Sequence, residues 1–255
     1  AAMALEPEVR EAMAAIAAKG GLNFGTVGES GGEGGTIIAL HRAMPRPNGQ
    51  ILTLTVAGRR FDVDLPLPGR FQADNALLAA ALALMLGDTA VFDRLPGLVG
   101  VRGRMELAAT LPNGAAAYID YAHTPDAITR VLAALRPHTA GRLAIVFGAG
   151  GDRDRGKRPL MGAAAQAGAD AVIVTDDNPR TEDPATIRIE VLTGCRGAIE
   201  VAGREAAIAI GLGLLGPGDV LVVAGKGHEQ GQTIGRETLP FDDAAVIRRL
   251  AGVSA

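Results

Sequence analysis

Hydrophobic positions change their period several times along the first hundred residues. Val9, Met13 and Ile16 recur at helical spacing, which predicts a helix over residues 6–18; glycines at 20, 21 and 28 and the Gly31–Gly35 cluster mark loops after it. Residues 36–40, 50–56 and 60–65 alternate apolar with polar side chains as half-buried strands do, and Ala57-Gly58-Arg59 joins the last two as a hairpin. Residues 74–86 are nearly all Ala and Leu, which predicts a helix buried on most sides. From residue 115 the rhythm becomes regular. Short apolar runs at 116–120, 143–147, 171–175, 198–201 and 220–224 alternate with helical patterns at 125–135, 159–167, 184–192, 204–215 and 242–250. Pro125, Pro159 and Pro184 fall in first helical turns, and Thr124 and Asp183 stand where N-caps belong. Continuous apolar strands separated by helices imply an α/β fold, a doubly wound and mostly parallel sheet covered on both faces. Residues 230–240 read as an added hairpin.

Composition narrows the class. At 48% hydrophobic and 21% charged residues, the 255-residue chain can bury a sizeable core. Its longest apolar runs, such as 79–86, are too short to cross a bilayer and no secretory pattern appears, so the expectation is a cytoplasmic protein without membrane insertion. With 25 basic and 28 acidic residues the net charge is −3, which argues against coating a nucleic acid. A single cysteine, Cys195, excludes an internal disulfide framework or thiolate metal cluster, and no metal ligands are assigned. Aromatics are 3% with no Trp, so the core must be aliphatic. Of the basic residues only Lys19, Lys157 and Lys226 are lysines.

Candidate chemistry gathers at one edge. In an open parallel sheet ligands bind beyond the carboxyl ends of the strands. Those ends run into Asp120-Tyr121-Ala122-His123, then Gly148-Ala149-Gly150-Gly151-Asp152-Arg153, then Asp177-Asn178-Pro179-Arg180, and Gly225-Lys226-Gly227-His228-Glu229. Singly, each loop has a plain reading: a turn, a solvated arginine, a locally bonded histidine. Together they collect both charge signs with glycines that permit close approach, which suits a zwitterion and a phosphate. The Gly148–Gly151 run is not a Walker A loop, because its spacing to Lys157 is wrong and no Ser or Thr follows.

These motifs, with Gly150-Gly151-Asp152-Arg153-Asp154 and Gly156-Lys157-Arg158-Pro159, resemble the carboxyl-terminal domain of the Mur ligases, in particular members that add meso-2,6-diaminopimelate. Upstream, 69–77 and Gly103-Arg104-Met105-Glu106 are similar to the end of the family's central ATPase domain and its hinge. The resemblance implies a Rossmann-like domain at 101–255, preceded at 1–100 by the tail of the ATP-binding domain. It implies an enzyme that uses ATP and Mg2+ to join meso-diaminopimelate to UDP-N-acetylmuramoyl-L-alanyl-D-glutamate through an acyl phosphate. The chain holds no Gly-Lys-Thr or Gly-Lys-Ser, so a fragment without the phosphate loop, inactive alone and monomeric, is expected. On the family pattern Arg153, Asp177, Asn178, Pro179, Arg180, Gly225 and Glu229 hold the amino acid. Asn75, Arg104, Asp120, Tyr121 and His123 lie on the ATP side, and His228 is the base for the amine. The competing readings are a lysine-adding or other Mur-type or folylpolyglutamate ligase, which Arg180 opposes, and a non-catalytic amino-acid- or nucleotide-binding module.

Overall fold

Alternation within the first hundred residues is realised as a sheet with a helix laid on it. The computed structural model describes residues 2–3, 7–20, 25–29 and 36–253 and divides into two units, Ala1–Val99 and Gly100–Ala255. The loop expected at 31–35 and the first residue of the helix expected at 6–18 lie outside the described residues. The first unit contains β1 (Ala2–Met3), α1 (Pro7–Lys19), β2 (Thr26–Glu29), β3 (Thr36–Arg46), β4 (Gly49–Val56), β5 (Arg59–Leu65), α2 (Arg70–Met85) and α3 (Val91–Arg94). The strands run in the order β1-β2-β3-β4-β5, parallel as far as β3 and antiparallel from there.

The alternating segments become strands, with two departures. β3 continues six residues beyond the expected 36–40 and turns into β4 at Pro47-Asn48. Pro45 can sit in it because β2 pairs only with the 36–40 stretch, so the far end of β3 is an edge whose amide is not needed. The predicted β4–β5 hairpin is present, with Ala57 (φ 48°) and Gly58 (φ 78°) in the two-residue turn whose twist matches its strands. α2 begins at Arg70 rather than 74, after Gly69 at φ 88°, and an Arg70–Asp74 ion pair at 2.9 Å spans its first turn. It buries one face, through Ala73, Ala76, Leu77, Ala80 and Ala81, rather than most sides; Phe71, Leu82 and Leu86 are exposed.

The second unit contains β6 (Glu106–Thr110), β7 (Ala116–Asp120), α4 (Pro125–Leu135), β8 (Leu143–Phe147), α5 (Lys157–Gly168), β9 (Ala171–Val174), α6 (Pro184–Leu192), β10 (Ile199–Glu200), α7 (Arg204–Gly213), β11 (Val220–Ala224), β12 (Gly231–Ile234), β13 (Glu237–Pro240) and α8 (Asp243–Ala251). Its main sheet has the order β10-β9-β8-β11-β7-β6, and every neighbouring pair is parallel except β6 with β7. That antiparallel edge strand is not foreshadowed by the alternating pattern. Both faces are covered, so consecutive residues of one strand join different cores. Leu143, Ile145 and Phe147 pack with Ile128, Met161 and Val191 from α4, α5 and α6, whereas Ala144 and Val146 pack with Ile208 and Ile247 from α7 and α8. Each fully buried side chain of this kind contributes roughly 1.5–3 kcal/mol.

Three caps fix where helices begin. Thr124 accepts from Ala127 N, Asp183 from Ala185 and Thr186 N, and Asp242 from Ala244 and Ala245 N. α5 starts two residues before the expected 159, and Pro159 is accommodated in the first turn because its missing amide has no partner to lose there. The chain leaves β8 toward the α5 face and, beyond β11, reaches the α8 face, so these adjacent strands part at their carboxyl ends. That is where an open sheet forms a crevice. Among the described residues no helix is long and apolar enough to cross a membrane.

Candidate functional site

The crevice is a cleft of about 190 Å³ beyond the ends of β7, β8, β9 and β11. β7 supplies Tyr121 and His123; the loop after β8 supplies Gly148, Ala149, Gly150 and Arg153, with Lys157 and Met161 from α5. The loop after β9 supplies Asp177, Asn178 and Arg180, and that after β11 supplies Gly225 and Glu229. Six of the seven residues expected to hold the amino acid therefore meet in one place, and Pro179 is outside the lining.

Glycines in these loops make room for chain rather than for phosphate. A Cβ on Gly148 would come 2.4 Å from Thr175 O, and one on Gly151 would come 1.9 Å from Pro179 O. The loop after β8 is thus pressed onto the loop after β9, and Gly151 N donates to Asn178 O at 2.9 Å. Gly225, at φ 112°, was expected to admit the ligand; its missing side chain leaves space for the Asp177 carboxylate, 2.6 Å from where a Cβ would stand.

The charged residues divide into those matched by the protein and those left open to the cleft. Lys226 is fully buried and its Nζ donates to Asn178 Oδ1 (3.0 Å), Glu229 Oε2 (3.3 Å) and the Gly231 carbonyl. Asn178 Nδ2 donates to the same Glu229 Oε2 at 2.9 Å, so Asn178 is an internal brace for Glu229. Glu229 Oε1 has no hydrogen-bond partner among the described residues. Among the described residues the Asp177 carboxylate accepts only from the Asn178 amide, through Oδ1 at 2.7 Å. Arg180 Nη1 donates to the carbonyls of Gly151 (2.7 Å) and Asn178 (3.5 Å), and Lys157 Nζ to the His123 carbonyl (3.4 Å). No carboxylate lies within ion-pair range of Arg153, Arg180 or Lys157 among the described residues. Three cations without a carboxylate partner therefore face Asp177 and Glu229; Glu229 is paired with Lys226 through Oε2 and leaves Oε1 toward the cleft.

Behind the cleft a second group of charges is fully matched. Arg158, 0% exposed, forks onto Glu182 (2.8 and 2.9 Å), reaches Glu190 (2.7 Å) and donates to Gly150 O (3.3 Å). Glu182 also accepts from Asp152 N at 2.6 Å, and the Asp152 carboxylate accepts from Thr181. The Arg158 guanidinium and the Asp152 amide hold the Glu182 carboxyl down to about 2. Arg204 and Asp243, both fully buried, pair at 2.7 and 2.8 Å, and Arg204 also donates to Ala224 O and Asp176 O. These residues hold the strand ends and loops in place. Sequence reading did not separate them from ligand-facing charges, since both kinds lie in the same runs.

On the nucleotide-side expectations, Arg104, Tyr121, His123 and His228 are brought together. The Arg104 guanidinium lies 4.8 Å from the Tyr121 ring centroid; His123 meets that ring edge-on at 4.6 Å and His228 lies 5.4 Å from it, tilted 32°. His228 is exposed and outside the cleft lining. Asp120 is occupied by the backbone, accepting from Met105 N (2.9 Å) and Ala122 N (2.8 Å). Burial raises its carboxyl above the ordinary range, against those amides and Arg104. It therefore pins the loop carrying Arg104, and Gly103 seats that loop so closely that a Cβ would be 2.2 Å from His228 N. Asn75 is exposed on α2, in the first unit. Cys195 is buried and desolvation raises its thiol.

A doubly wound sheet whose switch point opens into a cleft lined by both cations and anions defines the second unit as an α/β domain with a charged cleft at its strand ends. Residues 103–227 match the family model described as Mur ligase, glutamate ligase domain, and this domain belongs to the Mur ligases. It is 49% identical over 244 residues to the UDP-N-acetylmuramoyl-L-alanyl-D-glutamate–2,6-diaminopimelate ligase of Rhizobium meliloti (95% of this chain, 49% of that protein). It is 51% identical over 245 residues to the ligase of the same name from Caulobacter vibrioides (95% and 50%). A solved structure of a ligase with that name superposes with a TM-score of 0.82 at 33% identity, covering 98% of this chain and 52% of the other. The chain spans about half the length of the curated relatives it matches.

Proposed function

We propose that this chain is the amino-acid-binding part of an ATP-dependent ligase that joins meso-2,6-diaminopimelate to UDP-N-acetylmuramoyl-L-alanyl-D-glutamate in peptidoglycan precursor synthesis. On this reading 101–255 is the amino-acid domain and 1–100 the end of the ATP-binding domain. The observation that carries it is the set of three cations without carboxylate partners that faces Asp177 and the open Oε1 of Glu229 in the cleft. Diaminopimelate has two carboxylates and two ammonium groups. Arg153 and Arg180 offer planar forks for the carboxylates, with Lys157 as a further cation, while Asp177 and Glu229 Oε1 accept from the ammonium groups. L-Lysine lacks the distal carboxylate and would leave Arg180 unmatched, so selection works in both directions.

The chemistry is amide formation on an acyl phosphate of the D-glutamate carboxyl. ATP supplies the phosphoryl group; Arg104, Tyr121 and His123 are the residues of the second unit that would hold it. This chain's own contribution is to bind the amino acid and orient its amine for attack. Asp120 and His228 support the nucleotide side, Asp120 by anchoring the Arg104 loop and His228 by packing on Tyr121. Among the described residues no group of three or more His, Cys, Asp or Glu is disposed to hold a metal ion.

Titration calorimetry with meso-diaminopimelate and L-lysine tests the reading. Wild type is expected to prefer diaminopimelate. Arg180→Ala should lose about tenfold or more in diaminopimelate affinity, the scale of a charge-assisted hydrogen bond, with little change for lysine. Equal affinity of wild type for the two amino acids would overturn it.

A further inference from the structure

Hairpin β12–β13 stands apart from the main sheet. Among the described residues its strands pair with each other, and a single bridge joins Ile234 to Arg180. Ile234 and Leu239 stay exposed, so its apolar burial is slight. Its polar contacts converge instead on residues 177–180. Gln232 Nε2 donates to Asp177 O at 2.6 Å, and Thr233 N donates to Asn178 Oδ1 at 2.9 Å. Arg180 N donates to Thr233 O at 3.1 Å, and Gly235 N donates to Arg180 O at 2.6 Å.

Arg180 is held at φ 52°, a left-handed conformation that a residue with a Cβ keeps only where its surroundings over-determine it. The hairpin takes both backbone polar groups of Arg180. It thereby sets the direction in which the side chain leaves the backbone, and Nη1 reaches Gly151 O at the cleft wall. Return of the backbone to negative φ would redirect the guanidinium away from that wall.

We propose that this hairpin is a latch for the selectivity loop and that Gln232 is a positioning residue for discrimination between diamino acids with and without a distal carboxylate. The proposal rests on the reading of Arg180 as the partner of that carboxylate. Gln232 is half-buried and does not line the cleft, so it acts through the backbone of residues 177–180.

Gln232→Leu keeps the side-chain volume and removes the donor. Thr233→Val serves as a control, because it removes the Thr233–Thr238 hydroxyl pair (3.1 Å) inside the hairpin and leaves the Thr233 amide and carbonyl in place. The ratio of meso-diaminopimelate to L-lysine affinity is expected to fall about fivefold in Gln232→Leu, the scale of one lost hydrogen bond, with lysine affinity nearly unchanged. Thr233→Val should retain the wild-type ratio. An unchanged ratio in Gln232→Leu, with wild type still selective, overturns the latch and leaves the site reading intact; an equal fall in both variants also overturns it. Should wild type itself show no preference, the site reading fails, and a crystal structure of Gln232→Leu decides the latch separately. Arg180 still at positive φ with Nη1 on Gly151 O overturns it, and a shift out of the left-handed region supports it.

Discussion

Arg158, in the first turn of α5, and Arg180, on the loop after β9, both reach carbonyls of the loop after β8, and one is structural while the other is open to the cleft. What separates them is the company each keeps: Arg158 has Glu182 and Glu190 and no exposure, whereas Arg180 has only backbone carbonyls. A run such as Gly151-Asp152-Arg153-Asp154-Arg155 announces charge but not its direction, because pairing partners come from another loop thirty residues on. The Glu182 carboxyl is held at about 2, below its ordinary 4.5. A depressed carboxyl pKa adds stability that is present above 4.5 and lost as pH falls toward 2. Acid unfolding of wild type beside Glu182→Gln should therefore show wild type losing stability relative to the variant over that window. Parallel acid profiles would mean that the Arg158–Glu182 pair does not couple these loops.

At the level of elements, β7, β8, β9, β11 and the helices of the second unit follow their periodicities closely, and α4, α5, α6 and α8 also carry a cap or a proline in the first turn. Boundaries move where a neighbour decides them. β10 shrinks to Ile199–Glu200 at an exposed edge, and β3 lengthens because β4 folds back along it. The first residue of α7 reveals a role that no local pattern carries: Arg204 pins Asp243 of α8 and the carbonyls at the ends of β9 and β11. Arg204→Met would strand a buried carboxylate, at a cost of about 3–5 kcal/mol. Urea denaturation should show that loss, and Arg204→Met/Asp243→Leu should recover much of it because both buried charges are then gone. A double variant no better than the single would mean that the pair's charge is not what matters.

Across the whole molecule, the apolar cores respect the division at Val99 and Gly100: one cluster lies within 27–95 and the other two within 105–247. Residues 100–255 produced alone are expected to unfold cooperatively and to bind meso-diaminopimelate as the longer chain does; a broad, non-cooperative melt by calorimetry would refute this. The amino-acid sequence by itself determined the alternation of strands and helices, the doubly wound class and the strand ends where chemistry collects, because hydrophobic period and turn residues are local quantities. Tertiary structure alone decided that the Gly148–Gly151 glycines admit a neighbouring loop, that Lys226 and Asn178 face inward, and that His228 lies against Tyr121 outside the cleft. Those outcomes depend on which distant backbone or carboxylate arrives within hydrogen-bonding distance. No spacing along the chain encodes that distance.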